Sequence, residues 1–131
     1  MTWLLDTNVI RAAMRGVGGV ADRLRATPPS AIVLSPISVT ELRYGASRRG
    51  SATLDASLAQ LLGDLLVAPL NQDAADLAGR LMADHERMGR PLSLADALIA
   101  AQSLHLRCTL VTHDRDFADI PGLVIEDWQG M

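Results

Sequence analysis

Trp3-Leu4-Leu5-Asp6-Thr7-Asn8-Val9-Ile10 sets a short apolar run, an acid and the opening of a helical pattern back to back. The run is continuously apolar rather than alternating, which is how a strand buried on both faces of a parallel sheet reads. The same device returns along the chain at Ile32-Val33-Leu34, Leu65-Leu66-Val67, Thr109-Leu110-Val111 and Leu123-Val124-Ile125. Helical patterns separate these runs: Val9 to Met14, Val20 to Ala26, Ser38 to Ser47, Leu54 to Leu62, Asp73 to Met88 and Leu94 to Leu106. Strand alternating with helix predicts an α/β fold, a three-layer α/β/α sandwich around a central parallel sheet of about five strands.

No repeat, low-complexity tract or linker divides the 131 residues, so 1–131 reads as a single domain large enough to bury a real core. Apolar residues make up 49% and the mean hydropathy is +0.19, which leaves apolar surface for a partner or a second copy. No apolar stretch reaches the roughly 18 residues of a membrane span, and Asp6 interrupts the N-terminal run with no basic residue ahead of it. The lone Cys108 has no internal disulfide partner and reads as a small buried hydrophobe. These features point to the cytoplasm. Net charge is −3, so charge alone does not call for a polyanion; all 12 basic residues are arginine, which suits bidentate phosphate contacts and which coding bias in the source genome would also produce.

Within the helical segments, Leu77, Leu81 and Met88 are the expected inner stripe of the Asp73–Met88 helix, with Asp76, Arg80 and Asp84 paired outside and His85 on a solvated face. The Leu94–Leu106 segment is apolar nearly all round and should be buried. Asp96 is its anomaly.

Ligands in open parallel sheets bind beyond the carboxyl ends of the strands, so residues just after each apolar run carry most information. Asp6 follows the first run, Glu41 lies in the helix after the second, Asp96 opens the buried helix, and Asp114 follows Leu110-Val111-Thr112. Each has a structural reading: Ser38-x-x-Glu41 is a capping box, Ser93-x-x-Asp96 a looser one, and Asp6 and Asp114 suit turns or helix caps. Together they crowd one sheet edge. Two unit charges about 4 Å apart at an effective dielectric near 20 cost on the order of 4 kcal/mol. A cation relieves that repulsion, and an oxygen-only set without a Cys or spaced His selects a hard ion, Mg²⁺ or Mn²⁺. Such ions promote phosphodiester hydrolysis. Of the histidines, only His113 falls beside these positions.

Four segments resemble successive motifs of PIN-domain ribonucleases, and of the VapC toxins in particular: Leu5-Asp6-Thr7-Asn8-Val9-Ile10; Ser38-x-Thr40-Glu41-Leu42-x-x-Gly45; Leu94-Ala95-Asp96-Ala97-Leu98-Ile99-Ala100-Ala101; and Leu110-Val111-Thr112-His113-Asp114-Arg115-Asp116-Phe117. The close, Ile120 to Trp128, is similar to VapC and FitB-like endings. The resemblance implies a Mg²⁺- or Mn²⁺-dependent endoribonuclease, with Asp6, Glu41, Asp96 and Asp114 as its catalytic, metal-holding acids. Asp6 and Asp96 would be central, Glu41 would complete the set or orient water, and Asp114 would hold a second, weaker ion. Asn8 and Thr112 would hydrogen-bond the carboxylates, and Asp116 would be a neighbour that could instead be the fourth acid. His113 stands where many relatives carry Asn. Arg11, Arg15, Arg43 and Arg115 flank these motifs and could meet RNA phosphates. The resemblance further implies tRNA or rRNA as substrate, a small VapB-like antitoxin as partner, and a homodimer.

Other readings fit less well. A phosphoacceptor receiver domain needs a lysine, which the chain lacks, and a haloacid-dehalogenase-type phosphatase wants Asp-x-Asp where this chain has Asp6-Thr7-Asn8. A degenerate PIN fold kept for protein binding is the remaining alternative.

Overall fold

The computed structural model describes residues 1–129. Five parallel strands, β1 (Trp3–Leu5), β2 (Ile32–Leu34), β3 (Leu66–Val67), β4 (Thr109–Val111) and β5 (Ile125–Glu126), form one sheet in the order β3-β2-β1-β4-β5. The helices are α1 (Thr7–Met14), α2 (Gly18–Ala26), α3 (Pro36–Arg49), α4 (Ala52–Asp64), α5 (Gln72–Arg87) and α6 (Leu94–Leu106). The expected sandwich is therefore observed. Its two end strands are shifted slightly: Leu65 caps the end of α4, and β5 begins at Ile125 rather than Leu123.

The sheet's side-chain alternation builds two cores. Leu4, Val33 and Leu110 lie in register across three strands and pack with Ala97, Ile99, Ala100 and Phe117. Leu5, Ile32, Leu34 and Val111 point to the other face, against Val9, Ile10, Leu58 and Trp128. Central strand β1 is thus buried from both sides, and the chain direction at its end is fixed.

The helix against which α6 packs has a narrower inner face than its large apolar residues suggest. Ala74, Ala78, Leu81 and His85 are the buried positions of α5, whereas Met88 caps the helix and is 48% exposed. Small alanines at helical spacing let α5 approach α6 closely. His85, expected in solvent, falls on this same stripe at 2% exposure, and its Nε2 has no hydrogen-bond partner among the described residues. The charges outside differ too: Asp84 pairs with Arg87 at 2.7 Å, and no ion pair links Arg80 to Asp76 or Asp84 among the described residues. Among them also, no helix is long and apolar enough to cross a membrane.

Candidate active site

The end of β1 runs directly into α1. Asp6 extends the ladder by donating its N–H to the Val111 carbonyl at 2.9 Å, then caps α1 from an extended backbone, its Oδ1 accepting the Thr7 N–H at 2.8 Å. Its other oxygen, Oδ2, accepts the Thr112 hydroxyl at 2.9 Å. That hydroxyl oxygen also accepts the Asp114 N–H at 3.0 Å, and Asp114 Oδ1 accepts the Asp116 N–H at 2.9 Å, capping a 3-10 turn over Arg115–Phe117. One threonine therefore fixes two acids that lie far apart in sequence. Capping and clustering are not alternatives at Asp6 and Asp114; the same carboxylates do both.

On the other side, the Thr7 hydroxyl lies 2.7 Å from Glu41 Oε1 and 2.9 Å from Ser38 Oγ, tying α1 to α3. The capping box expected at Ser38 is absent. Helix α3 starts a turn earlier, capped by Ser35 with Pro36 in its first position, which leaves Ser38 buried and Glu41 in the second turn. Ser93 does cap α6, its hydroxyl accepting the Asp96 N–H at 3.1 Å.

These acids sense one another. The Asp96 carboxyl is pushed up to about 6, first by burial, then by the charges of Asp6 and Asp114 and, more weakly, Asp116, while the Ser93 hydroxyl opposes the shift. Asp6 is also raised, chiefly by burial; the bonds from Thr112 and Thr7 oppose this, and the charges of Asp114 and Glu41 add to it. Asp6, Glu41, Asp96 and Asp114 thus belong to one electrostatic site, as does Asp116.

One carboxylate oxygen from each of Asp96, Asp114 and Asp116 can lie within 4.8 Å of the others. A purely oxygen donor set, whose half-buried Asp96 is held back from ionising by burial and by the neighbouring carboxylate charges, fits a hard divalent cation. Asp116 enters this group, whereas Asp6 and Glu41 flank it with oxygens held by Thr7 and Thr112.

Other expected positions fall elsewhere. Asn8 is exposed and its side-chain carbonyl accepts from Arg11 at 2.8 Å, so the group that reaches a carboxylate from this motif is Thr7 rather than the expected Asn8. His113 turns to the C-terminal segment, with Nδ1 2.7 Å from Asp127 Oδ2, rather than to the acids. Arg43 is paired with Asp55 at 3.0 Å and Arg115 is exposed. Arg11 and Arg15 line an open cavity of about 800 Å³ that reaches Asn8 and Leu42, the latter next in sequence to Glu41.

Known proteins with this pattern share its fold. The PIN domain family model matches residues 3–123. Ribonuclease VapC17 of Mycobacterium tuberculosis is 32% identical over 126 residues, covering 91% of this chain and 86% of the relative. Among solved structures, VapBC of Salmonella typhimurium bound to DNA superposes at a TM-score of 0.82 and 31% identity, covering 98% of each chain. VapBC2 of Rickettsia felis, bound to a DNA fragment from its promoter, gives 0.86 at 27% identity, covering 98% of this chain and 99% of the other. With the sheet order, the acids at its carboxyl edge and these matches in agreement, the chain belongs to the PIN domain family and, within it, to the VapC ribonucleases.

Proposed function

We propose that this chain is a metal-dependent endoribonuclease that hydrolyses RNA phosphodiester bonds, acting as the toxin of a toxin–antitoxin pair. The observation that carries this reading is the meeting of acids from the ends of β1 and β4 and from α3 and α6 at one sheet edge, with Asp6 and Asp96 displaced upward. A merely structural set of helix caps has no need to face one another. The named activity of VapC17 and the complexes of the two VapBC relatives support the enzymatic and antitoxin parts of the reading.

Asp96, Asp114 and Asp116 would hold Mg²⁺ or Mn²⁺, with Asp6 beside them as the most rigidly anchored acid. When bound, such an ion supplies a water nucleophile near neutral pH and stabilises the leaving oxygen. Thr112 and Thr7 keep Asp6 and Glu41 oriented through the bonds described above, and Glu41 would take a proton from an attacking water. An RNA substrate of the tRNA or rRNA kind follows from the relatives, one of which is a tRNA(fMet)-specific endonuclease from Salmonella typhimurium. A VapB-like antitoxin would neutralise the toxin, and exposed apolar residues at the two opposite edges of the sheet, Leu66 on β3 and Val124 and Ile125 at the start of β5, offer apolar area for a second copy or a partner.

The test is cleavage of total RNA by purified protein with Mg²⁺, Mn²⁺ or EDTA, alongside Asp96→Asn, with the new RNA ends mapped. Cutting that needs the ion and disappears in the folded variant is expected. Equal cutting by the variant, or none by the wild type, would refute the reading and favour a binding-only PIN fold.

A further inference from the structure

Two helical stripes leave the carboxylate site side by side. On α1 and its C-terminal cap, Asn8, Arg11 and Arg15 recur at i, i+3 and i+7, and on α3, Glu41, Tyr44 or Gly45, and Arg48 do the same. At 1.5 Å per residue each stripe extends roughly 10 Å from the acids. Between them lies the open cavity of about 800 Å³, lined by Arg11, Arg15, Tyr44, Gly45, Arg48 and Arg49 with an apolar floor. No acid lines it, although the chain's net charge is −3. Among the described residues Arg11, Arg15, Arg48 and Arg49 have no ion pair, and Arg11 donates to the neutral Asn8 carbonyl. Tyr44 is 64% exposed, and a Cβ built on Gly45 meets nothing within 4 Å.

We infer that this groove holds the unpaired RNA flanking the scissile bond, with Tyr44 stacking on a base and Arg11, Arg15, Arg48 and Arg49 engaging phosphates. The inference rests on the ribonuclease reading for its substrate class. Guanidinium groups aligned along two walls match the repeated charge of a phosphate backbone. An exposed ring between them supplies a stacking surface that accepts any base. The short reach of both stripes suits a splayed loop of a folded RNA rather than a long single strand. Acid at one end and arginine along the walls give the groove a direction: phosphates gather on the arginines, and the site's own cation offsets the carboxylates where the strand is cut.

The probe is a fluorescein-labelled RNA hairpin with an unpaired loop, followed by fluorescence anisotropy across a salt series in the Asp96→Asn background. Tyr44→Ala is expected to weaken binding about 5- to 30-fold. Arg15→Ala combined with Arg48→Ala should reduce the slope of log affinity against log salt by about 1.4, near 0.7 for each lost phosphate contact on a single strand. Gly45→Trp, which fills the groove from a helical position, should abolish binding while the circular dichroism spectrum stays as in the parent. Arg80→Ala, which removes the same charge from the exposed face of α5, should bind as the parent does. Unchanged RNA binding in the groove variants overturns the inference even if the wild type cuts RNA. So does unchanged RNA binding with loss of a poly-glutamate peptide, which gives the groove to an acidic protein segment. Lost binding in these variants, beside a wild type that cuts nothing, upholds the groove and overturns the ribonuclease reading instead.

Discussion

Replacing Asp96 by Asn separates the stability of this protein from its chemistry. In the folded chain the Asp96 carboxyl sits at about 6 instead of 3.8 because burial and the charges of Asp6, Asp114 and Asp116 oppose its ionisation. A displacement of that size corresponds to about 3 kcal/mol for a fully shielded group. Asp96 is half-buried, so water screening reduces this to about 1–1.5 kcal/mol. The folded state binds the proton more tightly than the unfolded state, so this contribution to stability is full below pH 3.8 and is lost as pH rises through about 6. Asp96→Asn removes the titration. At pH 7.5 in EDTA the variant should melt about 3–6 °C above the wild type, and at pH 3.5 the gap should close. Adding Mn²⁺ should raise the wild-type melting temperature more than the variant's, reversing their order. Differential scanning calorimetry over this pH range, with and without Mn²⁺, reads all of these effects. A variant less stable than the wild type at pH 7.5 in EDTA would show that Asp96 is a stabilising cap and that the repulsion argument is wrong.

Three further substitutions probe the frame around the site. Thr112→Val keeps the side-chain shape but removes the hydroxyl that bridges Asp6 and Asp114; isothermal titration should show Mn²⁺ affinity reduced about 10- to 100-fold, and more at lower pH because Asp6 loses a bond that holds its pKa down. Unchanged affinity would mean that Asp6 needs no such support. His85→Leu removes a buried ring whose Nε2 is unsatisfied and should be neutral or stabilising by up to about 1 kcal/mol in urea unfolding, whereas a loss above about 2 kcal/mol would reveal a polar role for the ring. Trp128→Ala, which empties a site 1% exposed beside Trp3, should cost about 3–5 kcal/mol; a loss under about 1 kcal/mol would show that the C-terminal segment is not part of the core.

The layers, the parallel sheet and the identity of the crowded acids were legible because apolar runs and the residues after them are local signals. Details that depend on what packs against a helix were not. Met88 looks like a core residue until α5 is seen to end there, and His85 looks like a surface residue until the stripe through Ala74, Ala78 and Leu81 passes through it. The start of α3 was misplaced because Ser38 and Glu41 have capping-box spacing, but Ser35-Pro36 is the stronger start signal, a hydroxyl cap followed by a residue with no N–H to satisfy. Thr7 and Asn8 compete for the same role in sequence; the helical direction of α1 gives Glu41 to Thr7 and leaves Asn8 to Arg11. The basic groove was the least legible feature, since its walls come from α1 and from the far end of α3, and no local signal in the sequence joins Arg48 and Arg49 to Arg11 and Arg15.

The strand order has a temporal consequence. Central β1 is made well before one of its two neighbours, β4, which comes more than a hundred residues later, and Thr112 grips Asp6 across a separation of 106 positions. A ribosome-bound chain whose β4 has not yet emerged therefore carries Asp6 and Glu41 without the residues that complete their setting. Translation itself thus delays assembly of the acidic cluster until β4, made more than a hundred residues after β1, is clear of the machinery whose RNA such a cluster could damage.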